Sequence, residues 1–200
     1  TRSGSNTGGG HGHSRGSDRG GGRRSGSNLE FDDHAKIEDM KGRLFDFSRD
    51  QYGPRFLQQK IVSGTDAHKR AIFEELRPHV RVLMRDVFGN YVIQKLLRYG
   101  LSEHVNEIAV AMHSRVLELS LDTYGCRVVQ TAFQVVNKKM RAELAQELRP
   151  HVKRCVKNQN ANHVIQKCIE NVESPVKDFI IDTFVGEVYD FATHPYGCRV

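Results

Sequence analysis

Five short segments of this chain lie one period of 36 residues apart: Pro54-Arg-Phe-Leu-Gln58, Asn90-Tyr-Val-Ile-Gln94, Cys126-Arg-Val-Val-Gln130, Asn162-His-Val-Ile-Gln166 and Cys198-Arg-Val200. A fixed period of this length leaves few folds open. It describes a stack of like units, each burying on its neighbour an apolar face that it cannot bury alone. The frame around the five-mers repeats as well. Two places ahead stands an aromatic residue (Tyr52, Phe88, Tyr124, Tyr196), followed by Gly53, Gly89, Gly125 and Gly197, while the fourth copy carries Asn160 and Ala161 instead. Four places ahead stand Asp50, Asp86, Asp122, Asn158 and His194. The acids and the amide are suited to accept from the free amide groups of a helix that starts just after them. The joints Leu76-Arg-Pro-His-Val80 and Leu148-Arg-Pro-His-Val152 repeat two periods apart.

Counted from the first residue of a five-mer, apolar residues recur at offsets two, three, six and seven, as in Val92, Ile93, Leu96 and Leu97. That spacing is a helical stripe. At about 100° per residue, offsets zero, one and four fall on the other side, so Asn90, Tyr91 and Gln94 are expected to point away from the core together. The aromatic residue before each glycine reads as core. Residues 102–113 and 138–149 again show helical spacing, and no stretch alternates as a strand does. Each unit is therefore two or three short helices in an all-α stack, with equivalent side chains forming a ladder along one surface.

The chemistry of that ladder suits the reading of nucleobases. Each full copy ends on Gln, which offers donor and acceptor, and the first residue one helical turn earlier is Asn or Cys in all but the first copy. Between them stand the planar groups of Arg55, Tyr91, Arg127, His163 and Arg199, which can stack on a base face. Over residues 42 to 200 the chain resembles the RNA-binding domain of the PUF family, and its triplets resemble those of Pumilio-type members. The resemblance implies a curved α-solenoid of 36-residue PUF repeats that takes one base of single-stranded RNA per repeat. In that family Asn with Gln selects uracil, and Cys or Ser with Gln selects adenine.

Carried over to this sequence, Asn90 and Gln94 address uracil with Tyr91 stacking, and Cys126 and Gln130 address adenine with Arg127 stacking. Asn162 and Gln166 address uracil with His163 stacking, and Cys198 and Arg199 open a further adenine repeat. PUF proteins bind RNA antiparallel, so the implied readout is 5′-A-U-A-U-3′ and then the base of the first repeat. That is the 3′ part of a UGUA-containing element of the UGUANAUA type. The first copy departs from the pattern, because Pro54 has neither hydroxyl nor amide hydrogen for a base edge, although Arg55 can stack and Gln58 can bond. Proline fits the first turn of a helix, so an intact repeat with weakened adenine selectivity is expected. The resemblance further implies binding to 3′ untranslated regions of messenger RNA, post-transcriptional repression and translation regulation, with repressor or deadenylase-recruiting proteins on the convex face of a cytoplasmic monomer.

Repeat boundaries fall near 42–77, 78–113, 114–149, 150–185 and a truncated 186–200, whose apolar surface a next unit should cover and which is expected to fray. PUF domains usually hold eight repeats, so a chain that starts at Thr1 and stops at Val200 inside an expected helix reads as a fragment. Residues 29–41, with Leu29, Phe31, Ile37 and Met40 among acids and lysines, read as an N-terminal cap. Residues 1–28 hold ten of the 18 glycines and almost nothing apolar, so disorder is expected there. Their Arg19-Gly-Gly-Gly-Arg-Arg24 resembles an arginine-glycine tract, although a plain flexible linker is the preferred reading. With five Arg and one Asp that tail carries +4 of the net +6, leaving +2 for residues 29–200. Affinity for RNA in the repeats must come from local clustering and stacking rather than from bulk charge.

Other classes lack their parts. No strand precedes the glycine-rich stretch to make a phosphate loop, and no histidine recurs beside a carboxylate or serine, so no enzyme, catalytic residue or cofactor is expected. The four cysteines show no zinc spacing and suit a reducing compartment, His11-Gly-His13 lacks further ligands, and no metal is expected. No apolar run approaches the about 18 residues of a membrane span. Two rival readings remain. One is a protein-binding scaffold of the armadillo or HEAT sort, whose repeats are longer, and the other is a PUF-like protein that binds RNA without reading its sequence.

Overall fold

The structure is a computed structural model, and it describes residues 37–200. The expected disorder of residues 1–28 and the cap residues Leu29 and Phe31 lie outside the described residues. The remaining part of the expected cap is a 3-10 turn, Ile37–Met40, with Ile37 and Met40 buried.

Thirteen α-helices follow in a repeating order, and the described residues contain no strand. The first unit holds α1 (Leu44–Arg49), α2 (Gly53–Ser63) and α3 (Asp66–Leu76); the second holds α4 (Val80–Leu83), α5 (Gly89–Tyr99) and α6 (Ser102–Met112). The third holds α7 (Val116–Leu121), α8 (Gly125–Val135) and α9 (Lys138–Leu148), and the fourth α10 (Val152–Val156), α11 (Ala161–Asn171) and α12 (Asp178–Phe184). A fifth unit contributes α13 (Val188–Ala192) and a 3-10 turn, Gly197–Arg199. The middle helices α2, α5, α8 and α11 pack on one another in sequence and form the ladder. This is an all-α solenoid.

The apolar stripe supplies the core between neighbours. Val92, Ile93 and Leu96 of α5, Val128, Val129, Ala132 and Phe133 of α8, and Val164, Ile165 and Cys168 of α11 are all fully buried. The position occupied by Leu44, Val80, Val116 and Val152 is buried in four units, yet Val188 in the fifth is 63% exposed.

The residues ahead of each ladder helix act as caps. Asp86 Oδ1 accepts from the amides of Phe88 and Gly89 at 2.9 and 2.8 Å, and Asp122 Oδ1 accepts from Tyr124 and Gly125 at 2.9 and 2.7 Å. Asn158 repeats the pattern with an amide oxygen and His194 with Nδ1, whereas Asp50 accepts only from the adjacent Gln51 amide. Asp86 and Asp122 also pair with an arginine of the preceding unit, Arg49 and Arg85. Burial opposes the charge on both carboxylates, but the amide donors and arginines outweigh it and hold both groups below the usual aspartate range. A depressed pKa in the fold means stability that is present above the unfolded value and lost as pH falls through the folded one. Replacing both by Asn, the residue the fourth unit already uses, is therefore expected to flatten the loss of stability below about pH 4. Urea midpoints measured from pH 7 to pH 3 test this, and parallel curves for the variant and the parent chain would refute it.

The glycine before each five-mer is required by close approach. A Cβ on Gly125 would stand 2.8 Å from the Leu119 carbonyl oxygen, and one on Gly197 would stand 2.7 Å from that of Phe191. The fourth unit carries Ala161 here, and Cys155 stands where the other units carry Phe47, Leu83, Leu119 and Phe191. Asn160, in the aromatic position, donates to the Leu121 carbonyl of the unit before at 2.9 Å.

The joints come in two kinds that alternate. Units two and four are entered through 3-10 turns, Arg77–His79 and Arg149–His151. Units one, three and five are entered through a residue with positive φ: Gly42 at 83°, Ser114 at 63° and Gly186 at 80°. In units one and three a glutamate of the unit's own third helix braces that joint. Glu75 accepts from the Gly42 and Leu44 amides at 2.8 and 2.6 Å, and Glu147 accepts from the Ser114 and Val116 amides at 2.8 and 3.1 Å.

Candidate nucleic-acid interface

The ladder helices concentrate the positive charge. Arg55 and Lys60 on α2, Lys95 and Arg98 on α5, Arg127 on α8 and Lys167 on α11 are opposed there by Glu170 alone. Six minus one gives +5 on four helices, within a net +2 for residues 29–200.

Along this row the expected stacking side chains do face outward. Arg55, Tyr91, Arg127 and Arg199 are exposed and His163 is half-buried. The Arg127 guanidinium donates to the Tyr91 hydroxyl at 3.1 Å, one unit away, so the planar groups of neighbouring units already sit edge to edge. The glutamines Gln58, Gln94, Gln130 and Gln166 are half-buried beside them.

The first residue of each five-mer does not behave as the spacing suggests. Asn90 and Asn162 are fully buried and Cys126 is 5% exposed, so the expectation that offset zero points away from the core is corrected. The reason lies in the helix angle, because offset zero stands only about 20° round from offset seven, inside the margin of the buried stripe. Each of these side chains folds back onto the turn before it. Asn90 Nδ2 donates to the carbonyls of Asp86 and Val87 at 2.9 and 3.0 Å, and Asn162 Nδ2 donates to those of Asn158 and Gln159 at 2.7 and 2.9 Å. The Cys126 thiol donates more weakly to Thr123 at 3.4 Å, and burial pushes its pKa up, which keeps the proton that makes this bond. Cys198 makes the same turnback toward Pro195 at 3.8 Å but is exposed. Pro54, buried in the first turn of α2, has no group with which to do so.

Both amide hydrogens of Asn90 are thus committed to the backbone, and only Oδ1 faces the ladder, where it accepts from Gln94 Nε2 at 2.9 Å. Asn162 Oδ1 accepts from Gln166 Nε2 in the same way at 3.3 Å. A pair built like this offers a ligand one fixed acceptor and one fixed donor. Between units two and three, Tyr91, Gln94, Arg98, Arg127, Gln130 and Thr131 line a groove of about 200 Å³. Arg98 and Thr131 were not singled out by the five-mers, yet offsets five and eight lie on the same side of the helix as offsets one and four. The aromatic residues before the glycines also need correction. Tyr52 is 52% exposed, and Phe88, Tyr124 and Tyr196 are half-buried rather than core, because the glycine and not the ring makes the close contact.

A family profile described as "Pumilio-family RNA binding repeat" matches residues 43–77, 79–113, 115–149, 151–183 and 187–200, most of the chain. The chain belongs to the PUF family. Proteins of this family are RNA-binding repeat proteins without enzymatic activity. Among curated PUF relatives it is similar to the Pumilio domain-containing protein C6G9.14 of Schizosaccharomyces pombe, 30% identical over 167 residues, which covers 83% of this chain and 24% of that protein. Among solved structures it is similar to the Puf3 RNA binding domain bound to Cox17 RNA 3′ UTR recognition sequence site B, with a TM-score of 0.81 and 38% identity over 83% of this chain and 47% of that one. The PUF-8 structure in complex with PBE-RNA matches with a TM-score of 0.80 and 37% identity, covering 87% of this chain and 52% of that one. The chain therefore spans about half the length of these PUF domains. No helix among the described residues is long and apolar enough to cross a membrane.

Proposed function

We propose that this chain binds single-stranded RNA in sequence-specific fashion, one base per repeat, reading the A-U-A-U-N 3′ portion of a UGUANAUA-type element. The observation that carries this reading is the locked pair. Asn90 with Gln94, and Asn162 with Gln166, present an acceptor beside a donor. That arrangement suits a uracil edge, with N3–H donating to the Asn oxygen and a ring carbonyl accepting from Gln. Cytosine has an unprotonated N3 and meets an acceptor with an acceptor. Where Cys126 replaces Asn, the fixed acceptor disappears and Gln130 is left to address adenine. Tyr91, Arg127 and His163 stack on base faces, and the +5 row of ladder helices attracts the phosphates.

Family membership and the RNA-bound PUF neighbours support messenger RNA 3′ untranslated regions as targets. The outcome we assign is repression of the bound message in the cytoplasm by partner proteins held on the opposite, convex face of a monomer. Binding of this chain, and of a form extended by further repeats, to RNA containing UGUAUAUA tests the reading against the same RNA with its terminal AUA changed to CCC. A preference of the same sense in both supports it. Equal binding to the two RNAs leaves a nonspecific RNA surface, and no binding to either favours a protein scaffold.

The first repeat gives a narrower check. Replacing Pro54 with Ser supplies a hydroxyl at the position where Cys126 stands two units later, and is expected to raise the preference for adenine at the 3′ terminal base by roughly three- to tenfold. An unchanged preference would show that Gln58 and Arg55 alone set that base.

A further inference from the structure

The hydrogen bonds of the ladder cross the repeat boundary. Gln94 gives Nε2 to Asn90 Oδ1 in its own helix, and its Oε1 lies 3.3 Å from Thr131 Oγ1 in the next repeat. Thr131 is 2% exposed, and its hydroxyl also lies 3.0 Å from the Arg127 carbonyl, so its single proton is held between these two acceptors. The result is a continuous chain of restraint. Two backbone carbonyls fix Asn90, Asn90 fixes Gln94 from one side, and Thr131 holds it from the other.

Two of the other reading glutamines, Gln58 and Gln130, have a different neighbour. Lys95 and Lys167 stand where Thr131 stands, one unit earlier and one unit later, beside Gln58 and Gln130. Neither ammonium is turned to the glutamine: Lys95 Nζ lies over the Tyr99 ring at 5.3 Å, and Lys167 Nζ pairs with Glu170. Threonine therefore accompanies the Asn90–Gln94 pair, and lysine accompanies the two pairs without Asn.

Resting on the RNA reading above, we propose that Thr131 is a positioning residue that sets base specificity one repeat away, at the base read by Asn90 and Gln94. Without the Thr131 hydroxyl the Gln94 carboxamide is held by Asn90 alone and can turn over to set its oxygen against the cytosine amino group. That removes one of the two clashes that exclude cytosine, while the Asn90 oxygen still opposes N3. Held at both ends, the carboxamide keeps the donor in place and uracil is preferred. The three positions of the five-mer thus form an incomplete description of this site, which extends to a residue 37 places further along the chain.

Thr131→Val removes the hydroxyl and keeps the branched shape. Competition binding of this chain to UGUAUAUA, to the same RNA with C at the seventh base, and to the same RNA with C at the sixth base separates the effects. The seventh base belongs to Asn90 and Gln94, and the sixth to Cys126 and Gln130. The uracil-over-cytosine preference at the seventh base is expected to fall by roughly three- to tenfold. The preference at the sixth should hold, and Thr131→Ser should restore the seventh. An unchanged preference at the seventh base overturns the inference, and so does an equal fall at both bases, which would mean that Thr131 acts only by holding its own helix. Should the valine variant fail to fold, Thr131→Ala removes the same hydroxyl and is judged by the same two bases. Absence of any uracil preference in the unaltered chain removes the RNA reading itself, and is thereby distinguished from a clamp without effect.

Discussion

Truncating Phe133 to alanine is expected to lower the unfolding free energy by about 3–5 kcal/mol. Phe133 is fully buried on α8, which packs against α5, α7 and α11 and so holds the second, third and fourth units together. Its counterparts on the other ladder helices are Ile61, Leu97 and Ile169, all smaller, so the third unit carries the largest side chain at this position. In a solenoid the loss falls on the interfaces between units as well as on the unit itself. Urea unfolding followed by circular dichroism should show an earlier midpoint and a broader transition as the two halves uncouple. A cost below about 1 kcal/mol would mean that the third unit relaxes around the gap, contrary to close packing at this interface.

Asn90→Asp, a change of one amide to one carboxylate, is expected to cost a comparable amount, about 3–5 kcal/mol at pH 7. The side chain is fully buried and both of its amide hydrogens go to carbonyl oxygens. A carboxylate there has no hydrogen to give, meets two acceptors, and lies near the Asp86 charge. The fold consequently favours the protonated form and raises the pKa of the introduced group above its unfolded value. The penalty is therefore full at neutral pH and shrinks as pH falls toward the unfolded value of about 4. Denaturation at pH 7 and at pH 5 checks both the size and the sign. Asn162→Asp should behave alike, since its bonds are the same, whereas Gln94→Glu, in a half-buried site, should cost far less. If the two aspartate variants were as stable as the parent at pH 7, the turnback would be an incidental contact.

Much of this architecture is legible in the sequence because the period is constant and the stripe of Val92, Ile93, Leu96 and Leu97 has a single helical reading. The caps were legible too, from the recurrence of Asp86, Asp122 and Asn158 four places ahead. Burial at the edge of the stripe was less so. Offset zero is polar in Asn90 and Asn162, and polarity read one residue at a time suggests solvent. Only the two backbone carbonyls of the preceding turn, which carry no sequence signal, explain why an amide is buried there. The half-exposed aromatic rings mislead for the opposite reason, since their recurrence reflects the glycine beside them. Thr131 was out of reach because its partner sits in another repeat and the lysines at the equivalent positions conceal the pattern.

The two kinds of joint bear on inheritance and engineering alike. A unit entered through positive φ and braced by Glu75 or Glu147 cannot be exchanged for one entered through Arg-Pro-His without mismatched ends. The smallest cassette that can be duplicated, deleted or transplanted with both ends matched is a pair of repeats. Lengthening of such a chain by copying therefore adds repeats two at a time, and a designer who grafts single modules inherits a broken seam at every second one.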